Sequence, residues 1–155
     1  MADYTPFEDM LFALRDTVIN NVGAQLTAIA ADKGDGISLP DFADDEIGYR
    51  NPFSVTRWPY VMFIHEDAPI EQSGIHGELE TLDAYVMFVL KHKNRDELTK
   101  MDFRYADAIR AVISANIDLG GVVLEAQVTH IDWSPASEDM SVGVVRVEIL
   151  KEILT

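Results

Sequence analysis

The chain has 155 residues, 48% hydrophobic and 25% charged, with 12 Lys and Arg against 27 Asp and Glu for a formal charge of −15. At this length about 68–70% of the unfolded surface can be buried, so folding requires neither metal nor disulfide. The absence of cysteine excludes thiolate zinc sites and a cysteine nucleophile. The acidity argues against a surface built to neutralise nucleic-acid phosphates or to grip anionic lipid.

Chain order begins with a long amphipathic helix. Thr5 in the N-cap position, Pro6 at the first helical position and Glu8 suggest a capping box with a proline start. Phe7, Leu11, Leu14, Val18, Val22, Leu26 and Ile29 then recur at steps of three and four, which draws one apolar stripe, and Gly34 and Gly36 end it. Asp3 stands where a signal peptide would carry a base, and no apolar run reaches the roughly 18 residues of a membrane span. Residence in the cytosol is expected.

Residues 32–52 form an acidic connection, and a connection of that length in a compact domain is functional or holds a short strand. Phe53 to Ile64 is rich in β-branched and aromatic residues and is expected to be extended, with Pro59 marking an edge strand, a bulge or a junction of two short strands. His65 to Gly77 is turn-rich and suits a protruding hairpin. Glu78 to Lys91 alternates Leu82, Ala84, Val86, Phe88 and Leu90 with Asp83, Tyr85, Met87 and Val89, the pattern of a central strand.

A second helix is predicted over Asp96 to Asn116, with Asn94 as cap, Glu97 closing a capping box, and Leu98, Met101, Tyr105, Ile109, Val112 and Asn116 on one face. Gly120 and Gly121 stop it. Strands Val122 to Trp133 and Met140 to Leu150 follow, joined by a turn at Ser134, Pro135, Ala136 and Ser137. The expected fold is therefore α+β, a single domain over residues 1–155. It would hold an antiparallel or mixed four- to five-stranded sheet with two helices packed on one face.

The residues that could carry chemistry nominate no reaction. His65, Glu66, Asp67, Glu71, His76 and Glu78 cluster in sequence, but their spacing fits no helical metal-binding pattern and a solvated hairpin tip explains them equally. An EF-hand register centred on Gly36 places Ala31 and Lys33 at ligand positions. The glycines of residues 34–36 follow a helix, where a phosphate-cradling loop must precede one, and no G-x-S-x-G elbow occurs. No catalytic residue, metal ligand or cofactor is expected. The aromatics at strand ends and loop mouths, Tyr49, Phe53, Trp58 and Trp133, are candidates for a subunit interface, against core packing as the ordinary fate of tryptophan.

The element order, the run Arg104-Tyr105-Ala106-Asp107-Ala108-Ile109-Arg110, Gly120-Gly121 and Val128-Thr129-His130-Ile131-Asp132-Trp133 together resemble the tail terminator family of long-tailed bacteriophages and the related tail-completion and head–tail joining proteins. The resemblance spans about residues 5 to 150 and rests on length and element order more than on fixed residues. It implies a virion subunit assembled in the host cytoplasm. Copies, six by the family's pattern, would form a ring that caps the tail tube, ends tail polymerisation and meets the neck of the head. Its partners would be further copies of itself, the tail tube protein and the head–tail connector or neck proteins, with double-stranded DNA passing through unbound and no membrane. The acids Asp41, Asp44, Asp45 and Glu46 would then be candidates for a lumen that repels passing phosphates. A neck or head–tail adaptor ring of similar fold, and a small dimeric α+β ligand-binding domain or enzyme, are the alternatives.

Overall fold

A computed structural model describes residues 5–72 and 77–154. Two helices, α1 (Pro6–Lys33) and α2 (Arg95–Ala115), accompany six strands: β1 (Asp44–Ile47), β2 (Tyr60–Asp67), β3 (Ile70–Gln72), β4 (Gly77–Lys91), β5 (Glu125–Ser137) and β6 (Met140–Leu154). Five strands make an open sheet in the order β1-β2-β4-β6-β5, and β3 extends it by pairing with the start of β4. All pairings are antiparallel except β1 with β2, which makes the sheet mixed. The fold is α+β, as the element pattern implied.

Both helices pack on one face. The stripe read on α1 is buried at Leu11, Leu14, Val18, Val22 and Leu26, and Phe7 and Ile29 pack half-buried against the same core. Opposite them lie Val61 and Phe63 of β2, the even-numbered residues Leu82 to Leu90 of β4, and Val145, Val147 and Ile149 of β6. On α2, Leu98, Met101, Tyr105, Ile109 and Val112 are buried, and the side chain of Asn94 accepts from the Glu97 amide as a capping residue should. Thr5 holds the N-cap of α1 without a side-chain capping bond, so the expected capping box is not formed there; Pro6 starts the helix and the Asp9 amide bonds the Thr5 carbonyl. The C-terminal stop is as expected, with Gly34 in the left-handed conformation at φ 59°.

Three expectations are corrected. The stretch from Phe53 to Pro59 is not strand: a short 3-10 turn, Pro52–Ser54, and a cis Trp58–Pro59 bond precede β2, which starts at Tyr60. Parallel strands need a crossover of a dozen or more residues, and residues 48–59 are that crossover. The turn expected at Ser134 to Ser137 is strand, because β5 is an edge strand that tolerates Pro135 with a register shift beside it; the chain reverses at Glu138 and Asp139 instead. Finally α2 stops at Ala115, ahead of the Gly120-Gly121 pair, which serves the turn into β5. The acidic connection after α1 does hold a short strand, β1. The expected hairpin is represented by β3 and β4, while residues 73–76, His76 among them, lie outside the described residues.

Candidate functional site

The helix-free face of the sheet is covered at one end by the β1–β2 crossover. Val55 joins Tyr60, Met62, Val89 and Met140 in a small second core, with Trp58 half-buried against it. The Arg50 amide meets the Met62 sulfur at 3.2 Å. Arg50 also grips Glu46 with two bonds, Nε to Oε2 at 2.7 Å and Nη2 to Oε1 at 3.2 Å, and Tyr60 Oη donates to the same Oε2 at 2.5 Å. The Arg50 guanidinium, then the Tyr60 hydroxyl, hold the Glu46 carboxyl down at about 2. Burial, followed by that carboxylate, pushes the Tyr60 phenol up to about 12. On this braced segment Tyr49 and Phe53 remain 63% and 66% exposed. An aromatic side chain in water on a fixed loop keeps its apolar surface available without further ordering cost, which is how a docking surface is pre-organised.

A second aromatic surface lies at the β5 edge of the sheet, where α2 overhangs it. Trp133 Nε1 donates to the Asp102 carbonyl at 3.1 Å, and its ring meets Phe103 edge-on at 5.2 Å and 79°. Phe103 is 52% exposed and Trp133 40%. Further along the same edge, Ile117, Val122 and Leu124 are also exposed around the turn into β5. Thus three of the four aromatics proposed from sequence lie at the surface, Tyr49 and Phe53 together and Trp133 at the far edge. Trp58 instead lies within the second core, with the Lys91 ammonium 4.5 Å from its ring centroid. Phe103 was missed in the sequence, although it stands out of phase with the buried stripe of α2, and an aromatic off the stripe is the signal that marks it.

The four acids proposed for a lumen divide in two. Asp41 and Asp44 are exposed, whereas Asp45 is tied to Arg15 Nε at 2.8 Å and Glu46 to Arg50. A separate ion pair holds the connection before β1 to the second helix: Arg104, buried on α2, bonds both carboxylate oxygens of Asp35 at 3.1 and 2.5 Å. That contact draws the Asp35 carboxyl down to about 2. The Tyr105 hydroxyl donates to the Pro40 carbonyl nearby, and burial raises its pKa.

The cavities are shallow. One of about 210 Å³ lies between α2 and the β5–β6 hairpin, where Ser141 Oγ donates to Asp102. Burial pushes the Asp102 carboxyl up, opposed by that hydroxyl. Arg95 and Trp133 also line it, and no histidine does, so the serine has a carboxylate but no imidazole base. Another, of about 340 Å³, is apolar and lined by Phe7, Leu11, Phe12, Ala68 and Leu82 with His65 at its side. Among the described residues no three His, Asp or Glu side chains are grouped to hold a metal ion. No helix is long and apolar enough to cross a membrane.

No protein-family model and no curated protein matches the sequence. Among solved structures, a chain from the virion of a native gene transfer agent particle matches at 10% identity over 93% of this chain and 99% of that one. The TM-score is 0.37, an overlap at which two chains need not share a fold.

Proposed function

We propose that the protein is a structural virion subunit that assembles with copies of itself into a ring, six by the resembled family's pattern, on the end of a phage tail tube. The ring stops tube growth, offers a surface to the neck of the head and lets DNA through. The observation that carries this reading is the pair of exposed aromatic surfaces, one on the crossover over the helix-free face of the sheet and one where α2 overhangs the β5 edge. Isolated exposed apolar side chains are ordinary, but aromatics exposed on two separate, braced parts of the surface suit contact with other protein. The resemblance read from the element order supplies the tail as the setting, and no reaction is assigned to the chain.

Native mass spectrometry of the purified protein, alone and mixed with isolated tail tubes, tests the reading. A closed ring supports it; a tight dimer carrying a small molecule overturns it. The acidity has a role in this setting, because carboxylates facing a channel repel passing phosphates. Replacing exposed Asp41 and Asp44 together by lysine should slow DNA release from particles several-fold. Release at the unaltered rate would remove those two acids from the channel wall.

A further inference from the structure

The cavity between α2 and the β5–β6 hairpin encloses about 210 Å³. At roughly 30 Å³ per water molecule, that is room for about seven waters or for one short side chain. Arg95, Leu98, Thr99 and Asp102 make its helical wall, because steps of three and four put them on one face of α2. Leu98 and Met140, both buried, give the cavity an apolar part. The Trp133 ring lines it as well, held by its Nε1 bond to the Asp102 carbonyl at 3.1 Å.

Into this lining α2 brings one carboxylate. Asp102 is half-buried, and its Oδ1 accepts from the hydroxyl of Ser141, which is 5% exposed. Among the described residues, no hydrogen bond reaches Asp102 Oδ2 and no Lys, Arg or His forms an ion pair with the carboxylate. Oδ2 is not sealed in the interior. The upward push that burial gives this carboxyl reflects a charge drawn partly out of water without a counter-ion. The other charged residues of the cavity are Arg95 and Glu138, one of each sign and both exposed, so they offset one another.

An anion would be repelled by Asp102, and a neutral polar ligand would leave its charge as it is. A cation supplies the missing partner, and an apolar stem behind the cation suits Leu98, Met140 and the Trp133 ring. We infer that this cavity binds a primary ammonium or guanidinium group on a short aliphatic stem, with the cation on Asp102 Oδ2. A free alkylamine carries that group, and so does a lysine or arginine side chain of another protein. The inference goes beyond the assembly reading and does not depend on it.

The test titrates n-butylammonium into the isotope-labelled protein at neutral pH and constant ionic strength. Nuclear magnetic resonance follows the amides of Asp102 and Ser141 and the indole N–H of Trp133. Saturable shifts centred on the cavity are expected, with a dissociation constant on the order of 1–10 mM, ordinary for about five heavy atoms. n-Butanol, similar in shape and uncharged, should bind at least about tenfold more weakly, and Asp102→Asn should weaken butylammonium by a similar factor. Arg95→Ala should tighten binding up to about threefold, because it removes a like charge. A readout in the parent protein covers the case in which Asp102→Asn fails to fold. The Asp102 side-chain carbonyl carbon reports its own titration, and since the ammonium favours the ionised carboxylate, butylammonium should lower the midpoint. Binding of Nα-acetyl-lysine methylamide as well would assign the cavity to protein side chains, and its exclusion would assign free amines. No saturable shift, butanol binding equal to butylammonium, an unmoved Asp102 midpoint, or loss of binding in Arg95→Ala would each overturn the inference.

Discussion

Gly143 on β6 lies directly across from Phe88 on β4, and the phenyl ring occupies the space of the missing side chain. A Cβ there would sit 2.1 Å from the ring's Cζ, so Gly143→Ala must displace a fully buried aromatic. Overpacking of this kind costs about 1–3 kcal/mol, and urea unfolding should show a loss in that range. The Asp35–Arg104 pair predicts a pH effect. The folded carboxyl sits at about 2, below the roughly 3.9 of an unfolded aspartate. A depressed carboxyl stabilises the fold fully above its unfolded value and loses that contribution as pH falls through the folded one. Asp35→Asn should therefore be less stable than the parent protein at pH 7, with the difference shrinking between about pH 5 and pH 2 in parallel denaturant titrations. Neither contact was legible in the sequence: the partners lie far apart in the chain, and nothing in a local pattern selects Asp35 from 27 acids or Gly143 from nine glycines. Two of the four proposed lumen acids were likewise absorbed by arginines that only the fold brings near.

The helices and the central strand could be read because a single period governs each of them. The stripe of α1, the capped face of α2 and the alternation of β4 all landed on the buried side expected. The reading failed where tertiary context outweighs local chemistry. Serine and proline over Ser134 to Ser137 indicate a turn, yet the β6 ladder holds that segment as an edge strand. The aromatic run before Tyr60 indicates a strand, yet the parallel β1–β2 pair requires a crossover and takes those residues for it. Arg50 ties the crossover to Glu46 of β1 and, through its amide, to Met62 of β2. Arg50→Ala should raise amide hydrogen exchange across residues 48–59 while leaving the melting temperature nearly unchanged, because exposed ion pairs contribute little to global stability. Slowed or unaltered exchange would mean that the second core around Val55 alone fixes the segment.

For the whole molecule, which of the interface candidates would lie at the surface was legible in part. Tyr49, Phe53 and Trp133 were picked out by their place near turns and proline, and all three lie at the surface; Trp58 has the same neighbours and is half-buried. Sequence position cannot tell which tryptophan a crossover will fold inward. The two tryptophans, the only ones in the chain, therefore report different things. Trp58 senses the integrity of the small second core, whereas Trp133 stands exposed on the edge strand β5. In a Trp58→Phe protein, the remaining indole should emit at shorter wavelength as concentration rises and copies exclude water from its ring, and emission independent of concentration would place that ring outside any contact. If copies assemble as proposed, the chain carries its own optical gauge of that assembly, and the kinetics of ring closure could be followed in real time without attaching a dye.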